Sequence, residues 1–467
     1  MIQFLLSYKN LILHALLSLS LTLILTFFKI PTVFLQGVHT YIHPDTVGQG
    51  NGVKAAIRRP GSSNSGSGIE GYQNLSSKTG AELRKRNKSK EKVDFDENNA
   101  QIFRLKLDEG HLQSRLYIDE YRSAFTISFI ALSCILLQNY LNVSKKSGFL
   151  ANGVLVPVLL GGLGVGKLFM LLTKISFEKS ASRRSEKQLS VLCGGLGLML
   201  GLLICSEMAS SVLDFNFGSI DGFGRSSITV IMGLLAGLLF MPATKFARSF
   251  WLGTDQLRCN LSMITCGWFT RMILHANNIL NIFAVLLWIN PLTEILVNTR
   301  DSNRQRTSWA SNIEDSEKLV GNGLSRSDFI KFRLCCLLIS SLLQIVTLRS
   351  NLQMYLNEAL LCWYQRLHAS KVPDLDFSRA KVFLHNHYLC LAALQFLAPP
   401  VLVLLFLGLS QIGGCSFENL PFITSLLPYS AFVKEVALFM AWWVAFVWAV
   451  LTSVILLLHR HGILYVS

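Results

Sequence analysis

Apolar positions along the chain do not recur as stripes; they arrive in unbroken blocks. About nine such blocks are read, at 11–28, 123–141, 150–172, 189–213, 228–246, 272–292, 332–348, 388–409 and 436–458. Each is long enough, at about 1.5 Å of rise per residue, to cross a hydrocarbon layer of about 30 Å. A helix that is apolar on every face is solvated by lipid rather than by water on one side. The pattern therefore predicts an all-α, polytopic transmembrane helix bundle. The first block admits two readings, an uncleaved anchor or a secretory signal. Its apolar run is long for a signal, and no small-x-small site follows Phe28, which favours the anchor.

One segment keeps the 3.6-residue period instead. Leu352, Tyr355, Leu356, Ala359, Leu360, Trp363 and Leu367 fall on one face, opposite Gln353, Asn357, Glu358, Gln365 and Arg366. This predicts an amphipathic helix lying in the membrane interface, with a helix packed on the end of the bundle as the alternative. A second departure is the stretch 46–99, which holds Gly-Ser-Ser-Asn-Ser-Gly-Ser-Gly, many charges and few apolar residues, and is expected to be disordered. The chain thus divides into an anchor (1–30), a basic, largely disordered loop (31–120) and a multi-pass domain (121–467).

Composition sharpens this in one respect. Only 15% of the 467 residues are charged, yet the net charge is +15. The excess Lys and Arg sit in loops beside the apolar blocks, where they act as topology signals and meet anionic headgroups, and no nucleic-acid-binding pattern accompanies them. Lys174, Lys179, Arg183, Arg184, Lys187, Lys245, Arg248, Arg258, Arg271, Arg349, Arg366, Lys371, Arg379 and Lys381 fall on one side, together with the long first loop. The positive-inside rule puts that side in the cytosol, with a lumenal or extracellular N-terminus and a cytosolic C-terminus. The expected partners are the lipid bilayer and other membrane proteins. The ten cysteines form no C-x-x-C pair, so neither a disulfide framework nor a zinc site is expected, and no cofactor is implied.

Candidate chemistry is sparse. The run from Gly161 to Lys167 satisfies GxxxxGK, but Leu168 stands where a nucleotide-binding loop needs Ser or Thr, and the run lies inside an apolar block. A packing role fits better: Gly162 with Gly166, Gly197 with Gly201, and Gly233 with Gly237 are pairs four apart that let helices approach closely, predicting a tight cluster of the third, fourth and fifth spans. Charge inside a span costs about 2.5–3.5 kcal/mol at the helix centre, so Lys167 and Glu207 need a reason. Lys167, about five residues from the basic end of its block, either snorkels outward or faces a cavity. Glu207 belongs to the fourth span near the opposite surface, with the two depths differing by about 15–20 Å, too far for a direct pair. In the sixth span Arg271, His275, Asn278 and Asn281 form a polar stripe beside Asn277, suited to interhelical hydrogen bonds or a hydrated path. Trp288 and Pro291 read as an interfacial anchor and a helix stop. His385 and His387 point apart on a helix and cannot share a metal. No catalytic signature is present.

From the sixth span onward the chain resembles the transmembrane protein 161 family. The residues that carry the resemblance are Trp288 and Pro291, then Arg349, Gln353, Tyr355 and Asn357 in one run, then Gln395 and Pro399, and the tandem Trp442 and Trp443. Thinner matches are His43-Pro44, Glu120-Tyr121, Lys167, Glu207, Pro242 and His275. The resemblance implies a multi-pass membrane protein linked to cation currents and excitability, with no catalytic residues to carry over. Two functions are then expected. One is a non-enzymatic regulator or scaffold of ion-handling membrane partners. The other is a transporter or channel using Lys167, Glu207 and the polar stripe.

Overall fold

The computed structural model describes residues 8–42, 54–57, 102–141, 153–178, 184–206, 212–215, 222–254, 267–296, 325–368, 375–412 and 431–464. Nine long helices form the bundle: α1 (Lys9–Phe27), α4 (Ile118–Tyr140), α5 (Leu155–Phe177), α6 (Arg184–Cys205), α7 (Gly222–Thr254), α8 (Trp268–Leu286), α10 (Arg326–Val346), α13 (Leu389–Gln411) and α14 (Ala431–Arg460). Between them lie short α2 (Ile30–Leu35), α3 (Glu109–Gln113) and α9 (Asn290–Leu296), and the longer α11 (Leu348–His368) and α12 (Leu375–His387). Strands β1 (His39–Ile42), β2 (Lys54–Ile57) and β3 (Ile102–Lys106) make a small antiparallel sheet in the order β1-β3-β2.

The long helices alternate in direction. His14 near the start of α1 bonds Gln138 near the end of α4. Lys174 late in α5 pairs with Glu120 early in α4. Asn281 late in α8 meets Ser340 in α10, and the indole of Trp442, early in α14, donates to the Val285 carbonyl at the end of α8. One end of the bundle therefore gathers α2, α3, α11, α12 and the sheet into a cap. At the other end Asn290 and Asp214 donate to the carbonyls of Val212 and Trp288, closing a short clasp.

Helix α13 is the axis. It packs against α4, α5, α7, α10, α11 and α14, and nearly every side chain from Leu389 to Leu407 is buried. The peripheral helices differ: α1 and α6 present Leu19, Leu23, Val191, Leu192, Met199 and Leu203 outward. Exposed apolar belts of this kind need lipid against them. Hydroxyls within the spans avoid the desolvation cost by bonding the carbonyl one turn back, as Thr173, Thr229 and Thr452 do.

Among the described residues eight helices are long and apolar enough to cross a membrane. The ninth, α8, falls short because Arg271, His275 and three asparagines interrupt its apolar run, yet it alternates with its neighbours and packs against α10 and α14. Helix α7 runs through Pro242 to Thr254, so Lys245 and Arg248 lie in its last turns rather than in a following loop. The expected interfacial helix is corrected: α11 is buried on both faces, Asn357 and Glu358 as fully as Leu352 and Leu360, because charged and amide partners from neighbouring elements cover its polar side. Most of the stretch 46–99 lies outside the described residues.

The glycine expectation splits. Gly197 of α6 sits so close to α7 that a Cβ would come 2.5 Å from that of Ala236, and Gly233 likewise abuts Leu198 and Gly194. Ser190 then reaches the Gly237 carbonyl at 2.7 Å. In α5 the pair Gly162 and Gly166 meets nothing within 4 Å; Gly161 and Gly164 make the contacts instead, against Leu409 and Leu405 of α13. The predicted cluster of three helices is thus a pair, α6 with α7. Overpacking a filled contact costs about 1–3 kcal/mol, so Gly197→Ala is expected to lower the thermal unfolding midpoint of the detergent-purified protein by several degrees, while Gly162→Ala leaves it unchanged.

Candidate functional site

The most heavily charged buried locus lies where α7, α11 and α12 meet under the cap. Glu358 of α11 has a side chain with no exposure at all. The Arg248 Nε of α7 stands 3.1 Å from its Oε1, the Lys381 Nζ of α12 is 3.6 Å from the same oxygen, and the His385 Nε2 is 3.9 Å from Oε2. These are ion pairs, and neither oxygen makes an aligned hydrogen bond. Burial by itself would push the carboxyl pKa up. The Arg248 guanidinium, with His385 and Lys381, reverses this and holds it well below the usual carboxylate range. Tyr355 stacks on His385 with ring centroids 4.6 Å apart, its hydroxyl pKa raised by burial and then by the Glu358 charge.

The neighbouring turn of α11 holds the sheet. Gln353 pairs with the backbone of His39 at two points, accepting from its N–H at 2.8 Å and donating to its carbonyl at 3.1 Å. The Tyr41 hydroxyl, its pKa pushed up to about 12 by burial, donates to Asn357 Oδ1 at 2.8 Å, and Gln353 Nε2 reaches the same oxygen at 2.9 Å. Asn386 of α12 donates to the Tyr41 carbonyl. Gly37, at φ +81°, passes so close to the Arg349 guanidinium that any side chain there would collide with it. Arg349, Gln353, Tyr355 and Asn357, one run in the sequence, therefore share a locus: Gln353 and Asn357 hold β1, Arg349 lies against Gly37, and Tyr355 packs the ion cluster.

The opposite end carries a second cluster. The Arg333 Nη1 of α10 lies 2.6 Å from Asp214, with its guanidinium 4.0 Å above the Trp288 ring. Phe215 stacks on Trp288 with ring centroids 4.7 Å apart and also meets Phe439 and Trp442. Trp288 is 0% exposed, which corrects its reading as an interfacial anchor. Pro291 is exposed at the start of α9, where it opens a new short helix after α8 stops. The Trp443 indole donates to the Met232 carbonyl of α7 at 3.1 Å.

The other sequence candidates are scattered. Lys167 is half-buried and sits ten residues before the end of α5 at Phe177, deeper than its apolar block suggested; its charge is felt by Glu120. Helix α6 closes at Cys205, and Glu207 lies outside the described residues. The stripe on α8 does not share one surface. Asn277 and Asn281 are buried, and Ser340 of α10 donates to Asn281 at 3.3 Å, whereas Arg271 and Asn278 are half-buried and His275 is exposed, edge-on to Phe250. Gln395 is buried in α13 one turn before Pro399, whose missing N–H leaves the Gln395 carbonyl without its helical donor. Among the described residues no group of His, Cys, Asp and Glu could hold a metal, and the seven described cysteines are free.

Alternating lipid-facing helices around a buried axis, with ionic groups gathered at the two ends, define a multi-pass α-helical integral membrane protein. Residues 223–424 match the model of the family described as predicted transmembrane protein 161AB. The match takes in Trp288, Pro291, the run 349–357, Gln395 and Pro399, and stops short of Trp442 and Trp443. No solved structure matches the chain.

The ion cluster was not foreseen from sequence. The signal available was an acid, Glu358, with no other acid between Asp328 and Asp374 in a strongly basic chain. Removing one partner of a buried pair costs about 3–5 kcal/mol, so Glu358→Gln is expected to destabilise the purified protein on that scale at neutral pH. Because folding depresses the Glu358 pKa, its contribution is complete above the unfolded value, about 4.3, and fades as pH falls below it. The wild-type advantage in unfolding midpoint over Glu358→Gln should therefore shrink between about pH 5 and pH 3, a window set by the same carboxylate.

Proposed function

We propose that this protein is a non-enzymatic, non-conducting membrane scaffold that regulates ion-handling membrane proteins, offering them its cap from the cytosolic side. The observation that carries the reading is the filled axis. Helix α13 spends almost its whole surface on its neighbours, so its interior positions line no pathway. Transport proteins keep polar groups and irregular backbone near the bilayer midplane, facing water or substrate. Here the tightest ionic clusters, around Glu358 and around Asp214, sit at the two ends. The cap gathers the basic side of the chain, which supports a cytosolic location for it and for the end of α14 by the positive-inside rule. The family resemblance to proteins linked with cation currents supports ion-handling partners.

One observation favours transport instead. Between α8 and α10, Asn281, Ser340 and Gln344 form a polar seam, and one turn earlier in α8 the Asn277 Oδ1 is buried without a donor. Reconstitution separates the two readings. Proteoliposomes of the purified full-length chain are expected to show no potassium or sodium flux above protein-free vesicles, while the same chain alters currents when expressed in cells. Flux that Asn281→Leu abolishes would overturn the scaffold reading.

A further inference from the structure

The rim of the cap, where α3 leads into α4, holds two arginines with guanidinium nitrogens that no acceptor among the described residues meets. Arg115 lies in the turn between α3 and α4, its backbone N–H bonded to the Leu112 carbonyl. Its side chain is half-buried, and its Nε is fully enclosed without an acceptor. Burial lowers its pKa, and no carboxylate among the described residues offsets this. Arg122, two turns further on, touches the exposed carboxylate of Asp119 at 3.7 Å with Nη1, leaving Nη2 enclosed without an acceptor. Both guanidinium groups lie within electrostatic reach of the Cys390 thiol, at the start of the buried axis helix.

The nearby acids are committed. Glu109 is held by Lys29, Glu120 by Lys174 at 2.8 Å, and Glu178 accepts from the Tyr117 hydroxyl at 2.6 Å. Lys174 also lies 5.4 Å over the Tyr117 ring, adding a third cation to the same rim. A guanidinium taken out of water without an anion is costly, and the fork of an arginine suits the oxygens of a phosphate. The first turn of a membrane-crossing helix is where the phosphates of a leaflet lie.

We propose that Arg115 and Arg122 bind the phosphate of an anionic phospholipid at the rim of the cap. The lipid's acyl chains would lie along the outer surface of α4, and its headgroup would supply an acceptor to the guanidinium nitrogens that lack one. The site is independent of whether the protein conducts ions, and its test reads binding alone.

Native mass spectrometry of the full-length protein in neutral detergent, titrated with dioctanoyl phosphatidic acid, dioctanoyl phosphatidylcholine or glycerol 3-phosphate, tests this. Phosphatidic acid is expected to occupy one saturable class of site about tenfold or more tightly than either of the others, given the strength of charge-assisted pairs. Arg115→Gln and Arg122→Gln should each weaken it by about tenfold, and Lys29→Gln, which changes a rim cation already paired with Glu109, should leave it unaltered. If Arg115→Gln fails to fold, Arg122→Gln decides, since that side chain is a third exposed. Phosphatidic acid binding that is indifferent to Arg122→Gln, or matched by phosphatidylcholine, would overturn the proposal. Equal binding of glycerol 3-phosphate would assign the site to a soluble phosphoester and overturn the lipid reading.

Discussion

Helix α13 has no surface left for lipid, and this constraint sets what every neighbour has to supply. Leu, Val and Ala along it demand close-packed partners on all sides, which α4, α5, α7, α10, α11 and α14 provide. Small residues appear where approach is closest: Gly161 and Gly164 of α5 accept Leu409 and Leu405, and Gly408 of α13 accepts Ile135. With lipid tails as apolar as leucine, no water-driven force pulls these helices together, so shape and a few buried hydrogen bonds must do it. The indoles of Trp442 and Trp443 serve both needs, filling volume and donating to carbonyls of α8 and α7. Paired prolines at 399 and 400 are tolerated in that setting because the surrounding protein, not the bilayer, borders the carbonyls they free.

The two ends solve the charge problem differently. Under the cap, Glu358 is surrounded by Arg248, Lys381 and the His385 ring from two other helices, so a membrane helix, α7, is tied to the cap helices α11 and α12 through one carboxylate. At the far end a single Arg333 is shared between a carboxylate and an aromatic face. Buried pairs of this type contribute little net stability against an apolar alternative, yet breaking one is expensive. They specify which helix sits beside which. A chain whose spans are otherwise interchangeable blocks of leucine and valine has few other means of fixing neighbours.

The sequence made the spans legible because lipid solvation removes the need for pattern: any block apolar on all faces must be a helix. It could not distinguish the face a polar residue takes. Trp288 looked like an anchor at the water boundary because tryptophan favours that depth, but the Phe215 and Arg333 that enclose it come from distant segments. The polar side of α11 looked solvent-facing for the same reason, since the ions and amides that cover it arrive from α7, α12 and β1. Gly162 and Gly166 have the spacing of a packing pair, whereas Gly161 and Gly164 make the contacts; spacing gives a face, not a neighbour. The amide-bearing residues Gln353 and Asn357 stand on the polar face that the helical period defines and in the run that carries the resemblance, and their hydrogen bonds to β1 supply a physical reason for that residue choice.

The way Gln353 holds His39 has a consequence for the sheet. Strand β1 is bonded to β3 along one side only. An outer strand with free backbone groups invites another chain to add itself there. At His39 both outward-pointing groups are already occupied by a carboxamide fixed on a helix. That amide imitates the next strand for one residue and goes no further, so the ladder ends at the bundle instead of extending to a second molecule.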